Sequence, residues 1–205
     1  MITGVEFLLK DNGITFIRGK ASFLDRKTIE VEGEKGREQF GIQKVIIATG
    51  SVSAQIPNVP IDGKVIVTST EMLNVPSIPK DLIIIGGGYI GMEFACLFNG
   101  IGSKVTVIEM LPQIISTEDE EMIRGLTTLL KKRGIQIHTE TKVKQARVKD
   151  GRAEVKVIYK DGKEEVFQDE KALMAVGRSP YTEGFRLEKT GVALEGQFIK
   201  ENERM

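Results

Sequence analysis

The residues best suited to chemistry lie in one run, Gly86-Gly87-Gly88-Tyr89-Ile90-Gly91, which follows the apolar stretch Leu82 to Ile85. Glycines at the first, third and sixth places of such a run have separate uses. The first permits a tight turn out of a strand, the second lets backbone approach a phosphate, and the third lets a helix pack close to a sheet. The N–H groups of the first helical turn and the positive end of the helix dipole then attract phosphates. Glu109 closes the next apolar run, about 20 residues on, where a carboxylate accepts hydrogen bonds from ribose hydroxyls. Its charge opposes the extra phosphate of NADP, so the expected ligand is NAD. A glycine turn that only packs a helix on a sheet is the plainer alternative.

Other reactive side chains carry less. Glu93 stands early in the same helix, either as a partner of its dipole or as a contact for the ribose or nicotinamide end of the ligand. Cys96, the one cysteine, lies between Ala95 and Leu97 and is expected to be a small core residue. His138, the one histidine, ends a strand with no cysteine or acidic metal-ligand pattern around it. No nucleophile–base–acid set can be assembled, and neither a catalytic residue nor a metal site is expected. Thr49-Gly50 and Gly177 end apolar runs, where ligands bind in open α/β sheets, although ordinary turns explain them equally well.

These residues need elements to hold them. Leu82 to Ile85 reads as a strand, and Ile90, Phe94, Leu97, Phe98 and Ile101 recur at helical spacing after it. Lys104 to Glu109 gives a second strand, Glu118 to Arg133 a second helix, and Ile135 to His138 a third strand. This is a mononucleotide-binding half of a doubly wound parallel sheet. Val143 to Val148, Ala153 to Tyr159 and Lys163 to Phe167 then alternate, joined by Asp150-Gly151 and Asp161-Gly162, which predicts a three-stranded meander in place of a crossover helix. Lys171 to Val176 supplies another apolar strand.

Before Leu82 the pattern from Gly4 to about Val75 is mostly strand and turn. Ile14 to Phe23 and Thr28 to Val31 alternate, Glu32 to Glu38 reads as a hairpin tip, and Val45 to Ala48 predicts a strand buried on both faces. Four of the six prolines fall between Ser51 and Lys80, which predicts a connection with a boundary near Val75 to Pro79. Across the 205 residues, 40% are hydrophobic and 28% charged, as in globular proteins, and 29 basic residues balance 29 acidic ones. That balance gives no reason to expect nucleic acid or an anionic membrane as partner. No apolar run is long enough to span a bilayer, no signal segment opens the chain, and a single cysteine suits a reducing compartment; the expected location is the cytoplasm.

Four segments, VIIATGS (Val45 to Ser51), IPKDLIIIGGGYIGMEFA (Ile78 to Ala95), KVTVIEMLPQII (Lys104 to Ile115) and MAVGRSPYTEG (Met174 to Gly184), resemble the flavin-dependent pyridine nucleotide-disulfide oxidoreductases. Dihydrolipoamide dehydrogenase is the nearest type, with mercuric and glutathione reductase types as alternatives. The resemblance implies that Gly86, Gly87, Gly88, Tyr89, Ile90, Gly91, Met92 and Glu93 wrap the NAD pyrophosphate, with Glu109 on the adenosine ribose. It also puts Val143 against the adenine and Gly177 toward the nicotinamide. Thr49, Gly50 and Ser51 would touch FAD in the full-length family. The resemblance divides the chain into a β-rich remnant of an FAD-binding domain (1–77), a Rossmann-type NAD-binding domain (78–182) and a tail leading back (183–205). The family's redox cysteine pair, its earlier flavin glycine motif and its catalytic histidine have no counterpart here, which implies a central piece that binds NAD, does not retain FAD and is inactive alone. A stand-alone NAD-binding module is the competing reading. For the full-length dihydrolipoamide dehydrogenase type the resemblance implies a 2-oxo acid dehydrogenase complex as partner, and the unpaired edge of the N-terminal strands predicts self-association.

Overall fold

The computed structural model describes residues 2–203. Two units share the chain: Met1–Gly50 with Pro180–Met205, and Ser51–Ser179. In the first, helix α1 (Ile2–Asp11) precedes a meander of β1 (Lys20–Asp25), β2 (Thr28–Gly33) and β3 (Gly36–Gly41). The β2–β3 hairpin turns at the expected tip, with Gly33 opposite Gly36.

Three expectations for this unit are corrected. The chain from Gly4 starts in a helix rather than a strand: Val5, Leu8 and Leu9 stand at i, i+3 and i+4, and the leucines, Glu6 and Lys10 are good helix formers. The strand expected from Ile14 begins only at Lys20. Val45 to Ala48 forms no strand, and Ile46 is 92% exposed. An apolar run becomes a buried strand only when neighbours satisfy its N–H and C=O groups, and no described strand pairs with it.

The second unit begins with β4 (Ser51–Ser53), β5 (Ile66–Val67) and the short helix α2 (Ser69–Met72). Thr68 and Glu71 form a capping box at the start of α2. The proline-rich stretch expected to be a connection therefore supplies three short elements to this unit. Next come β6 (Asp81–Ile85), α3 (Tyr89–Gly100), β7 (Lys104–Ile108), α4 (Glu120–Lys132) and β8 (Gln136–His138). The meander β9 (Thr141–Lys149), β10 (Arg152–Tyr159) and β11 (Glu164–Asp169) follows, then β12 (Lys171–Met174) and β13 (Arg178–Pro180). The rest of the chain returns to the first unit through a 3-10 turn at Leu187–Lys189 and the hairpin β14 (Leu194–Glu195) and β15 (Phe198–Ile199).

A parallel sheet in the order β5-β12-β6-β7-β8 forms the centre of the second unit. Its apolar runs are continuous because both faces are covered. Leu82 and Ile84 point with Val105, Val107 and Leu173 toward α3 and α4, meeting Ala95, Phe98 and Leu130. Ile83 and Ile85 point the opposite way with Ala172 and Met174, against Ala153, Val155 and Val157 of the meander. The mixed α/β fold, with its parallel sheet, helices and antiparallel meander, is the one expected.

Candidate functional site

The route from β6 runs to β7 and β8 on one side, while β12 joins β6 on the other. Such a switch in direction opens a crevice beyond the carboxyl ends of the strands. A cleft of about 1190 Å³ lies there. Its floor is the glycine run, one wall is Glu109 to Ser116 after β7, and the meander contributes Thr141, Val143 and Ile158. Ala175 to Gly177 after β12, together with Ala54 to Asn58, complete it.

The glycines have different jobs. At Gly86, φ is +110°, and a Cβ would stand 2.3 Å from the carbonyl oxygen of Ala175, so the turn cannot carry a side chain. At Gly91 a Cβ would stand 2.1 Å from the carbonyl oxygen of Gly86, which is how α3 packs so close to β6. Around Gly88 nothing lies within 4 Å of the Cβ position. Gly88 is also the N-cap of α3 and has no side chain to cap it, so the first N–H groups of the helix are left for an outside acceptor.

Glu109 is held rigidly. Its Oε2 accepts the Gly87 N–H at 2.5 Å and its Oε1 accepts the Leu111 N–H at 2.7 Å. Each oxygen keeps lone pairs for further donors. The Tyr89 hydroxyl reaches Thr117 at 2.8 Å and donates to Glu118, tying the start of α3 to the segment before α4. Lys144, at the meander edge, is paired with Glu164 at 2.5 Å. Lys144 and Lys156 together hold the Glu164 carboxyl down to about 2.

Of the predicted residues, Gly86, Gly87, Gly88, Tyr89, Ile90, Glu109, Val143 and Gly177 line the cleft. Gly91 supports the loop from beneath, Met92 is buried in the core, and the Glu93 side chain is exposed outside the lining. Thr49, Gly50 and Ser51 do not line it. The Thr49 hydroxyl donates to the Tyr181 carbonyl at 2.6 Å, and Ser51 Oγ accepts from Arg178 at 2.7 Å.

Cys96 is corrected from core to exposed, and Leu97 is 52% exposed. Met92, Ala95 and Phe98 face the sheet, whereas Glu93, Cys96, Leu97 and Gly100 form the opposite stripe of α3 at i, i+3, i+4 and i+7. His138 is half-buried, with Nδ1 3.2 Å from the Tyr159 hydroxyl and its ring edge-on to Phe167. Burial pushes its imidazole below the usual range. Sequence reasoning missed the segment Met110 to Ser116 and the wall Ala54 to Asn58. The positive φ of +45° at Ile115, a β-branched residue, has no signature in the sequence.

The family model for pyridine nucleotide-disulphide oxidoreductases matches residues 1–205. The chain belongs to that family. A pyridine nucleotide-disulphide oxidoreductase from Schizosaccharomyces pombe, the mitochondrial dihydrolipoyl dehydrogenase, is 37% identical over 198 residues, which are 95% of this chain and 39% of the relative. The dihydrolipoyl dehydrogenase of Acholeplasma laidlawii is 40% identical over 209 residues, covering 99% of this chain and 58% of the relative. Among solved structures, the Cu(II) complex of the HOCl-induced flavoprotein disulfide reductase RclA from Escherichia coli superposes with a TM-score of 0.82 at 28% identity, covering 95% of this chain and 45% of that one. This chain thus spans less than two thirds of each of these three proteins.

A dinucleotide fits the residues present. The open space at Gly88 accepts a pyrophosphate against an uncapped helix start, and Glu109 offers a fixed carboxylate to a ribose.

Proposed function

We propose that this chain is the NAD(H)-binding part of a dihydrolipoamide dehydrogenase. The observation that carries the reading is the uncapped start of α3 at Gly88, open to the cleft and flanked by the doubly held carboxylate of Glu109. The α3 N–H groups bind the pyrophosphate, Glu109 accepts from the adenosine ribose hydroxyls, Val143 lies against the adenine, and Gly177 lets the nicotinamide approach closely. Because Glu109 repels a 2′-phosphate, NAD is preferred to NADP. NAD supplies the hydride-accepting ring of the reaction. In the full-length enzyme, a redox disulfide and FAD would supply the redox chemistry that links dihydrolipoamide to NAD, within a 2-oxo acid dehydrogenase complex. Thr49, Gly50 and Ser51 belong on the FAD side of that relay. This chain has one cysteine where a redox disulfide needs two, so we propose that it binds NAD(H) without oxidising dihydrolipoamide; its one G-x-G-x-x-G run is taken by the NAD site, so we also propose that it retains no FAD. Cytoplasmic residence and self-association through the N-terminal third belong to the same reading. The likeness to RclA supports a second reading, in which the parent is another flavin disulfide reductase.

Fluorescence titration of the purified chain with NADH and NADPH, beside an absorbance scan for flavin, tests the proposal. Saturable NADH binding, weaker NADPH binding and no flavin band are expected. Equal affinities would overturn the assignment of Glu109, and no binding of either nucleotide would overturn the site.

A further inference from the structure

We infer that Gly87, the middle glycine of the run, serves Glu109 rather than the phosphate: it is a positioning residue that sets dinucleotide discrimination. The inference rests on the proposed NAD site. Every group Gly87 offers is taken up by the wall after β7. Its N–H donates to Glu109 Oε2 at 2.5 Å, and its carbonyl accepts the Ile115 N–H at 2.8 Å. A Cβ at this position would meet Ile114 Cγ2 at 3.0 Å and Glu109 Cβ at 3.1 Å. Gly88, by contrast, has nothing within 4 Å and faces open space. The two adjacent glycines therefore divide the work, one receiving the wall and the other leaving room for a ligand.

The wall is built to meet Gly87. Ile115 takes φ +45°, a conformation that a β-branched residue adopts only when its surroundings impose it. That turn sinks Ile114 to 1% exposure and aims the Ile115 N–H at Gly87. The second oxygen of Glu109 is held by Leu111 at 2.7 Å. With a main-chain N–H on each oxygen, the carboxylate can neither rotate nor swing aside. A ribose diol finds acceptors already in place, whereas a 2′-phosphate meets a negative charge that cannot retreat. If the Gly87 hold is released, the carboxylate gains freedom, and both the diol contact and the repulsion weaken.

Dissociation constants for NADH and NADPH are to be measured for the unaltered chain, Gly87→Ala, Glu109→Gln and the double variant, with ligand-free melting curves for each. Gln keeps the shape of Glu but has one oxygen for two N–H donors. Alanine keeps the N–H but sets a methyl group against Glu109 Cβ, so Gly87→Ala is expected to displace the carboxylate, weakening NADH by about tenfold while NADPH binding holds or rises. Glu109→Gln is expected to lower the NADH preference and the melting temperature, and the double variant to lose no more preference than Glu109→Gln alone. A parallel loss of both nucleotides in Gly87→Ala means that Gly87 serves the phosphate and overturns the inference; so does an additive loss in the double variant. Should Gly87→Ala fail to fold, the melting of Glu109→Gln decides: a lowered value supports the two-sided hold and an unchanged one overturns it. Failure of the unaltered chain to bind either nucleotide overturns the proposed function as well, and is told apart by being present before any substitution.

Discussion

Two glycines three residues apart, Gly88 and Gly91, should fail in opposite ways. Gly88→Ala adds a methyl group to open space, so the fold should melt unchanged, but that methyl stands where a pyrophosphate must approach the α3 N–H groups. We expect NADH affinity to fall by about tenfold or more by titration, with no change in melting temperature. Gly91→Ala drives a methyl group to 2.1 Å from the Gly86 carbonyl, and backbone must shift to admit it. A loss of about 1 to 3 kcal/mol in urea unfolding is expected, as for other overpacked positions. Equal behaviour of the two variants would contradict the division of roles. At this scale the sequence was informative where spacing carried the physics: the glycine run and Glu109 are recognisable because turn, phosphate approach and helix packing each require a residue type at a fixed offset. It said nothing of the Ile115 turn, since no residue preference announces an isoleucine at positive φ.

Elements with two-sided burial or strict alternation were equally legible. β6, β7, β10 and β11 appear where apolar runs or alternating residues predict them, because burial on a sheet face selects period and length. Val45 to Ala48 failed for the complementary reason: apolar content permits a buried strand, but neighbours must form the ladder. α3 was placed correctly, yet its buried face was misread at Cys96 and Leu97 because apolar residues surround the helix on both sides. A prediction about pH belongs to the edge where β11 meets β6. Asp81 accepts from Arg152 at 2.8 Å and from the Glu170 N–H, and burial, then the nearby Asp81 charge, pushes the Asp169 carboxyl up to about 6 from 3.8. An acid raised on folding contributes stability that is present below its unfolded value and is lost as pH rises through its folded value. Asp169→Asn is neutral throughout, so its stability relative to the unaltered chain should rise by about 2 kcal/mol between about pH 4 and about pH 7 in urea unfolding, the figure discounted for the partial exposure of Asp169. A difference that stays constant with pH would contradict this.

For the whole molecule, the two units differ in how fully they cover their apolar residues. The second buries both faces of its parallel sheet. The first leaves Phe7 and Phe16 at 66% and 60% exposure, besides Ile46. The self-association proposed for the N-terminal third predicts a mass above 22.7 kDa by light scattering, falling when Phe7 and Ile46 are both changed to Ser. A monodisperse monomer at high concentration would contradict it. The chain spans 39% of the Schizosaccharomyces pombe relative. What this chain can be asked directly is whether the cleft beyond β6 holds NAD. Amide chemical shifts recorded during titration with NADH answer that: saturable shifts clustered at Gly86 to Gly91, Glu109 to Ser116 and Thr141 to Lys144 are expected. Shifts scattered elsewhere, or none at saturating nucleotide, would contradict it.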